Sequence, residues 1–289
     1  MNGSSPSLEA IRWPAPAKLN LFLYINGQRS DGYHELQTLF QFIDKADYLT
    51  ISANHNGAIT VQPDSDIPLT DNLIYKAANA LQQYSGTHLG ANIELEKNLP
   101  MGGGLGGGSS DAATTLVALN QQWQLNYSNK VLAEIGAKLG ADVPIFIHGL
   151  ASVAEGVGEQ LTSVDIDEPW YVIACPQVHV STAAVFTHPT LIRNTPKRPL
   201  AQLLSDAWRN DCEPLVKKQY PEVAKAIDAL IEYAPSRLTG TGACVFATCQ
   251  SQQQAQSILQ HCPAWLNGFV AQGSNQSALY KQLKLRNKI

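Results

Sequence analysis

The stretch Pro100-Met101-Gly102-Gly103-Gly104-Leu105-Gly106-Gly107-Gly108-Ser109-Ser110 decides how this chain is read, because six of the seven residues from 102 to 108 are glycine. It is preceded by Ala91 to Glu96, which predicts a strand, and followed by Asp111 to Trp123, which predicts a helix. Glycine lets backbone amides turn inward with no Cβ in the way, and a helix start adds unpaired N–H groups and about half a positive charge. A strand, a glycine turn and a helix in that order predict an anion cradle. A flexible spacer is the plain alternative, and it explains poorly why six glycines are wedged between two such elements.

Gly102, Gly104 and Gly107 also fit the dinucleotide pattern G-x-G-x-x-G, but a run this dense matches it by chance. That unit needs a second strand after the helix with an acidic residue about 20 positions on. Here Asn126-Tyr127 leads into another predicted helix, Ser128 to Leu139, closed by Gly140. The Walker pattern fails as well, since Gly108 is followed by Ser109-Ser110 and not by lysine.

Upstream, Ala17, Leu19, Leu21, Leu23 and Ile25 alternate with Lys18, Asn20, Phe22 and Tyr24, which predicts a strand with one apolar face. A loop through Asp31-Gly32 leads to Tyr33-His34 and an extended run, Leu39 to Ile43, with a further strand expected at Tyr48 to Ser52. Leu73 to Leu81 has apolar positions at helical spacing behind Asp71, which reads as an N-cap. Strands followed by consecutive helices predict α+β layers. Strands at Ala151 to Ala154 and Trp170 to Ala174 flank the polar stretch Thr162 to Glu168. A boundary is therefore expected near Asp165, giving domains of residues 1–165 and 166–289. The second half offers a helix over Pro221 to Tyr233, a strand at Ala243 to Thr248, a helix over Gln252 to His261 and a strand around Gly268 to Gln272.

A chain of 289 residues fits roughly two domains. Its 44% apolar and 15% charged residues are an ordinary globular balance, far from disorder. Twenty Lys and Arg against 24 Asp and Glu leave a formal charge of −4, which removes the electrostatic basis of nonspecific nucleic-acid binding. The five cysteines form no C-x-x-C pair and no zinc spacing, and fit reduced thiols in the cytoplasm. No stretch approaches the 18 or more apolar residues of a membrane span, and Met1 to Arg12 lacks the pattern of a secretory signal. A cytoplasmic protein, monomer or homodimer, without nucleic-acid or membrane partners is expected.

The glycine stretch is similar to the phosphate loop of the galactokinase, homoserine kinase, mevalonate kinase and phosphomevalonate kinase (GHMP) superfamily. Further segments are Pro16-Ala17-Lys18-Leu19-Asn20-Leu21, Arg29-Ser30-Asp31-Gly32-Tyr33-His34, Gly140-Ala141-Asp142-Val143-Pro144 and Leu238-Thr239-Gly240-Thr241-Gly242-Ala243-Cys244. They resemble the branch of that superfamily whose alcohol is a cytidine-diphosphate-linked methylerythritol of non-mevalonate isoprenoid synthesis. The resemblance runs from about Pro14 to the last strand. It implies a two-domain α+β GHMP kinase fold, with a ribosomal-protein-S5-like N-terminal domain and a ferredoxin-like C-terminal domain. It also implies transfer of the γ-phosphoryl group of ATP, with Mg2+, to the 2-hydroxyl of that substrate. Another small-alcohol kinase of the superfamily, acting on homoserine or mevalonate, is the alternative. A noncatalytic RNA-binding module is a second one, disfavoured by the acidic charge.

Phosphoryl transfer needs a held triphosphate, a group that orients or deprotonates the hydroxyl, and positive charge where the transferring oxygens gather negative charge. The resemblance makes Lys18 and Asp142 the catalytic pair, although a lysine on a strand's polar face is ordinarily a solvated residue and Asp142 could simply cap a short helix beginning at Pro144. It assigns Pro100 to Ser110 to ATP, with Lys97 and Asn72 beside them; exposed surface is the plain alternative for those two. It places Asn20 and Thr182 against the second substrate, with His34 reading cytosine between Tyr33 and the opposing wall Phe186. Gly240-Thr241-Gly242 would border the substrate across the cleft between domains.

Overall fold

The computed structural model describes residues 9–63 and 67–286. Residues 1–8 of the segment read above as lacking a secretory signal lie outside them. The first strand, β1 (Ile11–Gln28), is longer than its alternation predicts. Register shifts against the next strand between Pro16 and Lys18 and between Asn20 and Phe22 interrupt the regular pairing. Such bulges re-aim side chains, and here both faces of the strand are covered, so Lys18 and Asn20 are buried and not solvated.

The two runs expected at Leu39 to Ile43 and Tyr48 to Ser52 are one strand, β2 (His34–Asn54). The polar segment between them does not break it because Asp47, fully buried, accepts the amides of Asn98 at 2.6 Å and Leu99 at 2.7 Å. This long strand is the spine of the molecule. Its far half pairs with β4 (Gly90–Glu96), which carries β3 (Ile59–Gln62) in parallel. Its near half pairs with β5 (Ser152–Glu155), which pairs in turn with β6 (Gln160–Ser163).

The helices of the first half are α1 (Leu73–Ser85), α2 (Gly107–Gln122), α3 (Asn129–Ala137) and α4 (Val143–His148). Asn72, not Asp71, caps α1: its Oδ1 accepts from the Ile74 amide at 2.9 Å. The central helix α2 begins at Gly107 and not at Asp111, so the last glycines of the loop already belong to its first turn. It is buried on nearly all sides, and small residues such as Ala112, Ala113 and Ala118 let its neighbours approach. Ile74, Leu81, Leu116, Trp123 and Phe146 join β2 and β4 in the first core.

In the second half, β7 (Trp170–Ala174) is followed by the short helices α5 (Thr182–Thr187), α6 (Leu200–Ser205) and α7 (Glu213–Gln219) and by α8 (Pro221–Ile231). Then come β8 (Ser236–Leu238), β9 (Val245–Cys249), α9 (Gln252–His261), β10 (Gly268–Ser274) and α10 (Ala278–Arg286). The sheet order β10-β7-β9-β8 makes a second antiparallel layer with its own core around Val172, Val223, Ile227 and Val245. Strand β10 also pairs with β2 through Gly273 and Ser274, so the layers are hydrogen-bonded to each other. Leu279 of α10 packs back into the first core. All five cysteines are free thiols.

Candidate active site

The bulges of β1 bring Lys18 and Asn20 beneath the glycine loop. Lys18 is 2% exposed. Its Nζ donates to Asn20 Oδ1 at 2.6 Å and to the Gly104 carbonyl at 2.9 Å. Its third direction points to Asp142 Oδ2, 3.3 Å away. An ammonium has three donors and no acceptor, so this arrangement uses all of Lys18's capacity and fixes where its charge sits. Asn20 is held in turn: its Nδ2 donates to Thr38 Oγ1 at 2.8 Å, and its backbone N–H donates to Thr239 Oγ1 at 2.9 Å.

Asp142 occupies the N-cap position of α4, yet its side chain makes no capping bond. The carboxylate faces Lys18 instead, with 38% of the side chain exposed. The cap reading of this residue therefore has no hydrogen bond behind it. The α4 helix begins at Val143, one residue before the Pro144 start expected from the sequence.

The glycine loop is threaded by alternate left-handed residues, Gly102, Gly104 and Gly106, at φ of 68°, 75° and 75°. A Cβ on Gly104 would strike the Thr239 carbonyl, and one on Gly106 would lie 2.6 Å from Phe146 Cζ. These glycines let three segments of backbone close on one another. No side chain caps α2, so its first amides are left without partners inside the helix. That is the arrangement an anion needs.

The cavity beside this loop has a volume of about 570 Å³ and is lined from both halves of the chain. Lys18, Asn20, Gly104, Ser109 and Asp142 line one end; Tyr33, His34, Thr182 and Phe186 line the other, with Gly240 and Thr241 between. Thr182 Oγ1 lies 2.9 Å from Thr241 Oγ1, tying α5 to the Gly240-Thr241-Gly242 segment. The rings of His34 and Phe186 are 5.1 Å apart, while Tyr33 is 64% exposed. Burial, with the nearby Arg193 charge adding, lowers the His34 pKa.

Other residues expected at the ATP site do not line this cavity. Lys97 Nζ is bonded to Asp47 Oδ2 at 2.5 Å and Asp111 Oδ2 at 2.9 Å, close beneath Gly107. Burial pushes the Asp111 carboxyl up to about 7, against the lowering pull of Lys97, and Asp47 pushes it further. The Lys97 pKa is raised, its two carboxylate partners outweighing burial. Asn72 is engaged as the cap of α1, whose Leu73 stands against Gly108. Lys97 and the start of α1 thus border the loop at Gly107 and Gly108. Leu105 points into the core, and Ser110 is fully buried with no partner for its hydroxyl. Pro100 and Met101 precede the left-handed turns, Met101 fully outward and exposed. Among residues the sequence did not single out, Thr38, Phe40 and Gly158 line the cavity and Arg193 bonds to His34. None of them sits in a motif; only their place in three dimensions identifies them.

Residues 72–150 match the GHMP kinases N terminal domain, and residues 191–268 match the GHMP kinases C terminal domain. A protein of Psychromonas ingrahamii named 4-diphosphocytidyl-2-C-methyl-D-erythritol kinase is 61% identical over 276 residues, spanning 95% of this chain and 97% of that protein. One of Shewanella loihica with the same name is 59% identical over 279 residues, or 96% and 98% of the two chains. A crystal structure of 4-(cytidine 5'-diphospho)-2C-methyl-D-erythritol kinase superposes with a TM-score of 0.80 at 29% identity, covering 91% of this chain and 99% of that one. Homoserine kinase from Cytophaga hutchinsonii has the same fold, with a TM-score of 0.70 at 18% identity over 96% and 98% of the two chains.

Proposed function

This chain belongs to the GHMP kinases and, within them, to the 4-diphosphocytidyl-2-C-methyl-D-erythritol kinases, and from that premise we propose how its cavity works. It is an ATP-dependent phosphotransferase of isoprenoid precursor synthesis. The reading is that the γ-phosphoryl group of ATP passes to the 2-hydroxyl of the cytidine-diphosphate-linked methylerythritol between Asp142 and Lys18. The observation that carries it is the 3.3 Å contact of Lys18 Nζ with Asp142 Oδ2, at the end of the cavity next to Gly104 and Ser109.

In this reading the substrate hydroxyl lies against Asp142, which accepts its proton as the oxygen attacks the γ-phosphorus and the bond to the departing ADP breaks. Lys18 holds a fixed positive charge beside the transferring oxygens. Asn20 and the Gly104 carbonyl already orient it, so little reorganisation is needed at the moment of reaction. The free amides at the start of α2 hold phosphate oxygens, with Asn72 and Lys97 bordering the nucleotide from outside. The pyrimidine lies at the far end, among Tyr33, His34 and Phe186, and Thr182 faces the linking diphosphate or alcohol. The division into residues 1–165 and 166–289 places the cavity between the two domains, with α10 returning to the first.

The described residues include no cluster of three or more His, Cys, Asp or Glu side chains able to hold a metal. The residues at this end of the cavity fit Mg2+ carried by the triphosphate, with the Ser109 hydroxyl as the protein ligand and Asp142 left to the substrate hydroxyl, because Mg2+ keeps most of its ligands from water and phosphate. Bound there, the ion would neutralise charge on the phosphoryl oxygens.

The test is ADP release with ATP and each of three alcohols, the cytidine-diphosphate-linked methylerythritol, homoserine and mevalonate. Turnover with the first alone is expected; turnover with homoserine or mevalonate in its place overturns the substrate assignment.

A further inference from the structure

Arg193 lies in the coil between α5 and α6, outside the cavity lining. Its Nε donates to His34 Nε2 at 2.9 Å. Its Nη2 donates to the carbonyls of Phe186 at 2.7 Å and His188 at 2.8 Å, and its Nη1 to the Leu191 carbonyl at 3.2 Å. A guanidinium carries donors only and keeps its charge at any accessible pH. His34 Nε2 must therefore be the acceptor, and the single proton of the neutral ring sits on Nδ1. Burial lowers the His34 pKa most, and the guanidinium adds to it, since protonating the ring would set a second N–H against that charge. Nδ1 has no hydrogen-bond partner among the described residues, and the ring lines the cavity.

Resting on the reading that this cavity takes a cytidine-diphosphate alcohol, we propose that Arg193 is a positioning residue that sets pyrimidine specificity. By holding His34 as the Nδ1–H tautomer, it presents a donor that the N3 lone pair of cytosine accepts and the N3–H of uracil opposes. The same guanidinium grips the carbonyl of Phe186, so the ring that reads the base edge and the ring opposite it are keyed to one side chain. Rejection of uracil then comes from two donors left facing each other, a mismatch that hydrogen-bonding sites discriminate strongly.

The experiment has two readouts. Nitrogen-15 NMR of the ligand-free protein reports which His34 nitrogen carries the proton, independently of any substrate. Calorimetric titration with CDP and UDP reports selectivity. The parent is expected to hold the proton on Nδ1 and to bind CDP roughly 10- to 100-fold more tightly than UDP. Arg193→Met should lose the fixed tautomer and bring the two affinities within about threefold, on the same scale, while ATP binding stays near parental. Arg193→Lys keeps one donor without the fork and covers failure of the methionine variant to fold: tautomer and selectivity should weaken together. His34 protonated on Nε2 in the parent, no preference for CDP over UDP, or selectivity retained after the tautomer is lost would each overturn the proposal. A parent that shows the tautomer and prefers CDP but does not phosphorylate the CDP-alcohol would instead sink the kinase assignment and leave this inference standing.

Discussion

Replacing Asp142 by Asn separates chemistry from scaffolding more cleanly than any other change in this site. The side chain makes no capping bond, so no cap is lost. What is lost is its charge 3.3 Å from Lys18 Nζ. At that separation two unit charges attract by about 5 kcal/mol with an effective dielectric of about 20, and by roughly 1 kcal/mol in water. Asp142 is more than a third exposed, so the watery limit applies, and the side-chain entropy of holding the pair reduces the net further. The stability change is then about 1 kcal/mol or less, a shift of roughly 2 °C in Tm for a chain of this size. The catalytic loss is on another scale. An amide cannot take the substrate's proton, and general-base contributions are typically about 10²- to 10⁴-fold, or roughly 3 to 5 kcal/mol. Steady-state kinetics, calorimetric melting and titration with ATP and the CDP-alcohol measure all three quantities. Near-parental melting and binding with kcat down at least about 100-fold is expected. A loss of turnover below about fivefold, or one that follows the loss of stability, would refute the assignment of Asp142 as the base.

Lys18→Met should lower kcat by about 100-fold or more with a smaller change in KM, because a preorganised charge acts mainly in the transition state. It should also melt earlier, since Asn20 Oδ1 and the Gly104 carbonyl lose a buried donor, and an unchanged kcat would remove Lys18 from the chemistry. Gly106 is a poor probe of the phosphate loop, as any side chain there meets Phe146. Gly108 is exposed and its φ is not positive, so Gly108→Val should raise the KM for ATP several-fold and leave Tm within about 2 °C; an unaltered ATP affinity would contradict the cradle. Asp111→Asn should stabilise the protein at alkaline pH. In the folded state the Asp111 carboxyl holds its proton up to about 7, whereas in the unfolded chain it titrates near its ordinary value of about 4. Between those values the folded form binds more protons, so parental stability falls as pH rises through that window. The Asn variant should match the parent near pH 4 and exceed it above pH 7 in urea melts; equal or lower stability at pH 8 would contradict this reading.

The glycine turn, its strand and the family were legible because each rests on local pattern. Glycine density, alternation and the spacing of short motifs survive in one dimension. The unbroken course of β2 was not legible, since the residues that interrupt its apolar pattern, Asp44 to Asp47, look like a turn until Asp47 is seen holding the amides of Asn98 and Leu99 from another part of the chain. The start of α2 was not legible for a related reason: Gly107 and Gly108 are poor helix formers, yet they form the helix's first turn, where a Cβ on Gly107 would lie 3.2 Å from Lys97 Nζ. At the site, Lys18, Asn20, His34, Thr182 and Phe186 do meet around one cavity, and the sequence named them through their motifs. The sequence did not show that Lys18 is buried, because the bulges that turn it inward leave no mark on the alternation. Arg193 was invisible for the same kind of reason, being a lone arginine in a coil whose meaning comes from a histidine 159 positions away.

The central claim is phosphoryl transfer to a carbon-bound hydroxyl of a CDP-alcohol, and phosphorus-31 NMR of the reaction mixture tests it most directly. With purified protein, ATP, Mg2+ and the cytidine-diphosphate-linked methylerythritol, the account predicts one new phosphomonoester resonance growing in step with ADP. The diphosphate signals of the substrate should be retained, and carbon-13 coupling should place the new group on the 2-hydroxyl. Inorganic phosphate appearing in place of the phosphomonoester, or the new group on a different hydroxyl, would contradict it.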